Sequence, residues 1–167
     1  CTASGNSFLA RKKEVSQTVL NIRSRVHTVI YEPPKTGKQS LIDMAVSQSG
    51  LTPACIDMIG MIDADELLRA LQDTSDHTLI YIKNFQNLLR LPDWEKTAAV
   101  LSHSMQKEDA PVYILSGSGI NAMKHIFEEK KLFYRQYERV RLSPIDERSV
   151  TDHIIRTFLK VGRVVEQ

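Results

Sequence analysis

Thr28-Val29-Ile30-Tyr31-Glu32-Pro33-Pro34-Lys35-Thr36-Gly37-Lys38-Gln39-Ser40-Leu41-Ile42 decides the fold. A β-rich apolar run enters a Pro-rich loop, and Gly-Lys then opens an apolar segment of helical period. That is the layout of a phosphate-binding loop, G-x-x-x-x-G-K-[ST], behind a strand. Such a loop works because successive backbone N–H groups and a helix N-terminus point at one anion. Gly37 allows close backbone approach, and Lys38 supplies a point charge for β- and γ-phosphates. Pro34, Lys35, Thr36, Gly37, Lys38, Gln39 and Ser40 are therefore the candidate nucleotide-binding residues.

Two positions depart from the pattern. Glu32 stands where the first glycine belongs, and a carboxylate there repels a triphosphate unless it turns away. Gln39 stands where a Ser or Thr hydroxyl would bind Mg²⁺ as a compact oxygen ligand at about 2.1 Å. Its amide oxygen is two bonds further out. Ser40 is one residue off register and points about 100° round the helix.

Outward from this loop, apolar runs alternate with helical segments, which predicts α/β with a parallel sheet. Helices are expected over 8–24, with Val15, Val19, Leu20 and Ile22 inward, and over 38–47, ended by Gly50. Others are expected over 64–71, capped by Asp63 with Glu66 three residues on, and over 93–105, 120–130 and 147–161. Strands are expected over 26–31, 54–59, 78–82, 111–115 and 139–142.

Composition excludes several classes. At 167 residues the chain fits one domain with a real core, and 42% hydrophobic with 25% charged residues is ordinary for a globular protein. A net charge of +2 makes no case for nucleic acid, and no apolar run reaches membrane-spanning length. Two cysteines without a pattern fit a reducing, cytoplasmic setting. The five histidines lack metal-ligand spacing, so no metal site is assigned. From Lys124 to Arg141, cations mix with Glu128, Glu129 and Glu138, which reads as a solvated face more readily than as a nucleic-acid patch.

Five stretches in order resemble the prokaryotic AAA+/STAND-like P-loop ATPases. Phe8-Leu9-Ala10-Arg11-Lys12-Lys13-Glu14 resembles their F-x-G-R-x-x-E entry motif, with Ala10 for Gly. Tyr31 to Ile42 resembles Walker A. Thr78 to Leu88 resembles Walker B, an apolar strand followed by D-E-F/x-Q-x-L. Ile114-Leu115-Ser116-Gly117-Ser118 is similar to a sensor-1 strand end, and Leu132 to Ile145 resembles L-Y-G-R-F-x-x-x-I-x-L-x-P-L. The resemblance covers residues 8 to about 160. It implies a three-layer fold with a parallel five-stranded sheet in the order 5-1-4-3-2 and helices on both faces. It also implies one nucleotide-binding core over 1–167, with a helical lid beginning at about 145–167 and an appended winged-helix domain in many members.

In that pattern an Asp at the end of the third strand holds the Mg²⁺ shell, and the next Glu activates water. Here those positions are Lys83 and Asn84. A cation replaces the metal-site anion, and an amide cannot accept a proton at neutral pH, so Asn84 can at best orient a water. Two readings stand for the pair: a polar turn without a role, or electrostatic substitution, with the Lys83 ammonium in the region of the metal. Asp57, at the end of the second strand, is the acid expected to pair with Lys83. Ser116 and Ser118 fall at the sensor position, against a plain small-residue turn. Arg135 falls at the family's Arg position, against a surface salt bridge with Glu138 or Glu128.

The expected function is a degenerate ATPase core that holds ATP or ADP, with Mg²⁺ undecided and hydrolysis weak or absent. Asn84, Ser116 and Arg135 are its weak catalytic candidates. The alternatives are a working ATPase that couples hydrolysis to conformational change and a nucleotide-free interaction domain. A protein partner or a second copy fits each, and nucleic acid enters only through a domain outside these residues.

Overall fold

The computed structural model describes residues 12–32, 37–74 and 76–142. In chain order these form α1 (Lys12–Arg23), β1 (His27–Tyr31), α2 (Lys38–Ser49), β2 (Ala54–Asp57), α3 (Ala64–Asp73) and β3 (Leu79–Lys83). A 3-10 helix (Phe85–Arg90), α4 (Trp94–Gln106), β4 (Val112–Gly117), α5 (Ile120–Lys124), a π-helical turn (His125–Glu129) and β5 (Tyr137–Arg139) follow. The entry motif before Lys12, the loop 33–36, and the expected helix and lid after Leu142 lie outside the described residues.

All strand pairs are parallel, and the order β2-β3-β4-β1-β5 is the expected 5-1-4-3-2 sheet. β1, β3 and β4 are buried along nearly their whole length because helices cover both faces. Alternation splits their side chains between two cores. Ile30, Leu79, Tyr81, Val112 and Ile114 pack under Val15, Val19 and Ile22 of α1 and Leu41, Ile42, Ala45 and Val46 of α2. Val29, Tyr31, Ile80, Ile82 and Leu115 pack under Leu67 of α3, Leu101 of α4 and the Phe85, Phe127 and Phe133 rings.

Several boundaries differ from the expectation, each for a local reason. Leu20 is 58% exposed rather than inward, because it lies about 140° round α1 from Val15 while Val19 and Ile22 follow the i, i+4, i+7 stripe. The 3-10 helix was not foreseen. Its buried Phe85 and Leu88, with Leu91 at its C-cap, recur every three residues, the period at which a 3-10 helix superposes side chains. The helix expected over 120–130 changes hand-over at His125, where Lys130 N donates to His125 O at 3.0 Å, an i→i+5 bond. The fifth strand lies two residues upstream of the expected 139–142: Tyr137, Glu138 and Arg139 pair with His27, Thr28 and Val29. Beyond it, Leu142 N leaves the ladder and donates to Glu32 Oε1 at 3.2 Å.

The Gly50 C-cap is left-handed at φ 79, and Asp63 accepts from Glu66 N at 3.1 Å, as the sequence implied. Cys55 is disulfide-bonded, although the spacing of the two cysteines shows no pairing pattern. It lies on an edge strand with its side chain exposed, where another sulfur can reach it. Among the described residues no helix is long and apolar enough to cross a membrane.

His27 ties the start of β1 to its neighbours. Its Nδ1 accepts from Tyr113 N at 3.1 Å, and its Nε2 lies 2.9 Å from Met105 O, so the neutral Nε2–H tautomer satisfies both. Burial pushes its pKa below the ordinary value, partly offset by the Met105 carbonyl. Because the folded pKa is depressed, its contribution is complete above the unfolded value of about 6.5 and is lost as pH falls through the folded one. Urea stability should therefore fall on acidification below about pH 6.5. That slope should flatten in His27→Gln, and an unchanged slope would assign it to other groups.

Candidate functional site

The C-terminal ends of β1, β3 and β4 open onto a cleft of about 400 Å³ lined by Gly37, Lys38, Gln39, Ser40, Lys83, Asn84, Ser116, Gly117 and Ser118. Ligands in open α/β sheets bind beyond the carboxyl ends of the strands. Gly37 carries φ 88, a left-handed conformation that costs glycine nothing, and it turns the chain into α2. No side chain caps α2, and its first turn holds no acid. Among the described residues the first helical bond there is Leu41 N to Gly37 O at 3.0 Å, and the N–H groups of Lys38, Gln39 and Ser40 belong to the open first turn of the helix N-terminus. At Gly117, a Cβ would come within 2.7 Å of both Gln86 Oε1 and Met123 Sδ, so any side chain at the end of β4 would require these two flexible side chains to move.

Lys38 is half-buried, and among the described residues its Nζ reaches the Glu32 carbonyl, at 3.4 Å. Desolvation pushes its pKa down, and the nearby Glu32 charge partly opposes this. Glu32 turns neither to the cleft nor to water. Its side chain is 12% exposed, and Oε1 takes Arg139 Nη2 at 3.3 Å and Leu142 N at 3.2 Å. The carboxylate that replaces the first glycine is thus neutralised on the β5 side. Arg139 is completed by Glu128 at 3.5 Å, by Tyr31 O at 3.2 Å and by the Tyr31 ring at 3.7 Å. The Tyr31 hydroxyl donates to Glu128 in turn.

Gln39 is held at both ends of its amide. Nε2 donates to Asp43 Oδ1 at 2.9 Å, and Oε1 accepts from Tyr81 Oη at 2.9 Å. Ser116 Oγ donates to Tyr81 Oη at 3.4 Å, so a relay runs from the sensor position to the Asp43 carboxylate, 5% exposed. Burial pushes the Tyr81 phenol up to about 12, keeping it a neutral donor. Asn84 is also fixed at both ends. It adopts φ 55, donates to Asp57 Oδ1 at 2.8 Å and accepts from Gln86 Nε2 at 3.4 Å.

The acid expected to pair with Lys83 therefore does not. Asp57 lies opposite Lys83 in the sheet, but its Oδ1 is engaged by Asn84 and by Ile59 N at 2.9 Å. Lys83 Nζ instead stands 5.5 Å from the Tyr81 ring centroid.

Of the sequence candidates, Gly37, Lys38, Gln39, Ser40, Asn84 and Ser116 meet at this cleft, while Pro34, Lys35 and Thr36 lie outside the described residues. Arg135 is not among the cleft residues. It is exposed, at φ 60, with its guanidinium 5.1 Å from the Tyr134 ring centroid. Neither acid expected to pair with it does so: Glu138 accepts from Gln17 Nε2 at 2.8 Å, and Glu128 takes Arg139. Sequence reasoning missed Asp43, Tyr81 and Arg139. Only Asp43 left a signal, as an i, i+4 Gln–Asp pair with Gln39.

The donor set does not suit Mg²⁺. Among the described residues no carboxylate lines the cleft, Lys83 brings a cation to the position of the metal-site anion, and Gln39 and Asn84 are committed to neighbours. Among the described residues no group of three or more His, Cys, Asp or Glu side chains converges.

No family model matches the chain, and no curated protein matches its sequence. Solved structures do match its fold. The Walker-type ATPase of Pyrococcus abyssi superposes at a TM-score of 0.65 and 14% identity, over 91% of this chain and 58% of that one. The ORC2 protein of Aeropyrum pernix, solved as ADPNP–ADP complexes, gives 0.64 and 14%, over 90% and 52%. The RuvB Holliday junction branch migration motor of Thermotoga maritima gives 0.58 and 15%, over 90% and 50%. The chain thus spans between 50% and 58% of the length of these structures and shares their P-loop fold.

Proposed function

We propose that this chain is a degenerate P-loop core that binds ATP or ADP as a regulatory module and hydrolyses it weakly or not at all. The observation that carries this reading is the asymmetry of the cleft. Its phosphate-facing half keeps left-handed Gly37, the N-terminus of α2 and the half-buried ammonium of Lys38. Its hydrolytic half presents no base among the described residues, Asn84 being an amide held between Asp57 and Gln86. An anion at Lys38 would restore favourable interactions to a charge that burial now disfavours. The ATPase fold of its neighbours supports nucleotide as the ligand, and a protein partner or a second copy would read the bound state.

The test is a thermal-shift titration with ATP and ADP beside a turnover assay. A ligand at about 100 times its Kd should add about 2.7 kcal/mol of stability. Lys38→Ala should abolish that gain while leaving the unliganded protein folded, and turnover should stay at background in both. Turnover well above background that disappears in Lys38→Ala would establish a working ATPase instead. The absence of any shift with either nucleotide would leave a nucleotide-free interaction domain.

A further inference from the structure

The geometry points to a cleft that takes its polyphosphate without a metal, the Lys83 ammonium standing where a divalent cation would. This rests on the nucleotide reading above and specifies the ionic form of the ligand. The charge balance of the cleft carries it. Lys38 and Lys83 both line the cavity, and among the described residues no acidic side chain does. Lys83 is half-buried at the end of β3, and its Nζ faces the Tyr81 ring rather than a carboxylate. The acid opposite it in the sheet, Asp57, is engaged by Asn84 Nδ2 at 2.8 Å and Ile59 N at 2.9 Å. Among the described residues Lys83 makes no ion pair, so its charge is available to a phosphate.

The groups that would hold a metal are committed elsewhere in the same network. The Gln39 oxygen accepts from Tyr81, and the Gln39 nitrogen faces Asp43. A magnesium-bound nucleotide would bring a second cation against Lys83 and carry less negative charge to Lys38. Free polyphosphate meets two ammonium groups and the open N–H groups of α2 with its full charge. Mg²⁺ should therefore weaken binding, the reverse of the dependence that a Ser or Thr hydroxyl and a Walker B acid would produce.

Titration calorimetry of this chain with ATP, in EDTA and in excess Mg²⁺ at matched ionic strength, reads the sign directly. The expected result is affinity roughly tenfold tighter in EDTA, which is about 1.4 kcal/mol. Lys83→Asp should lose at least that factor in EDTA and reverse the preference, binding more tightly with Mg²⁺. Lys83→Met keeps the apolar stem and should show the loss in EDTA without the reversal, which covers the case in which the Asp variant does not fold. Wild-type binding that is tighter with Mg²⁺, or that requires it, overturns the metal-free site and leaves the nucleotide reading intact. EDTA affinity unchanged in a folded Lys83 variant overturns the role of Lys83. No heat under either condition, with the wild type folded by circular dichroism, overturns both readings.

Discussion

Replacing Phe127 by Ala is expected to cost about 3–5 kcal/mol, a large fraction of the total stability of a domain this size. Phe127 is 2% exposed, and its ring centroid lies 5.1 Å from Tyr137, 5.3 Å from Phe133, 5.6 Å from Phe85 and 6.1 Å from Tyr31. These rings come from β1, the 3-10 helix, the π-helical turn and the segment around β5. Truncation opens a cavity where four segments meet, and rigid rings collapse into it poorly. The tilted and edge-on pairs add a further contribution beyond area. Urea denaturation of Phe127→Ala beside Phe127→Leu gives the measurement. The Leu variant refills most of the volume and should lose less than half as much, whereas a loss under about 1 kcal/mol in Phe127→Ala would deny the cluster its role.

Replacing Arg139 by Met is the second large effect, about 3 kcal/mol of destabilisation. Arg139 and Glu32 are 15% and 12% exposed, so removing the guanidinium leaves the Glu32 carboxylate buried with only Leu142 N as partner. Glu128 loses less, being 45% exposed and able to reach water. The figure is therefore taken at the low end of the range for a broken buried pair. The diagnostic is the double variant. Glu32→Gln in the Arg139→Met background removes the stranded charge and should recover at least about 1 kcal/mol. If the two substitutions are simply additive, Arg139 acts through packing on Tyr31 and not through Glu32. Nucleotide binding should follow the same logic, because a freed Glu32 carboxylate at the loop entry repels phosphate.

Periodicity and turn chemistry made most of the fold legible. The β-rich runs of β1, β3 and β4, the α2 stripe of Leu41, Ile42, Ala45 and Val46, the Gly50 stop and the Asp63 cap are all local signals, and each holds in the structure. Where the reading failed, long-range contacts outweighed local pattern. Leu20 looked core-like by residue type but lies off the stripe, and the last strand pairs His27 to Val29 two residues upstream of the expectation, with Leu142 N turned to the Glu32 carboxylate instead of the ladder. The π-helical turn was invisible because Phe127 is placed by rings from elsewhere in the chain.

At the site, the sequence alone determined the chemistry on offer. Gly37 and Lys38 match the phosphate-loop pattern, while Gln39, Lys83 and Asn84 bring neither the hydroxyl nor the carboxylates of that pattern, because side-chain identity sets what can carry charge or accept a proton. Only the tertiary structure decided how those groups are used. Glu32 is harmless because Arg139, distant in sequence and adjacent in the sheet, neutralises it. Gln39 is closed off because β3 brings Tyr81 against it, and Lys83 is left without an acid because Asn84 holds Asp57. Hydrogen bonds and ion pairs of this kind depend on which strands become neighbours, and the order β2-β3-β4-β1-β5 joins residues that no local pattern in the chain connects.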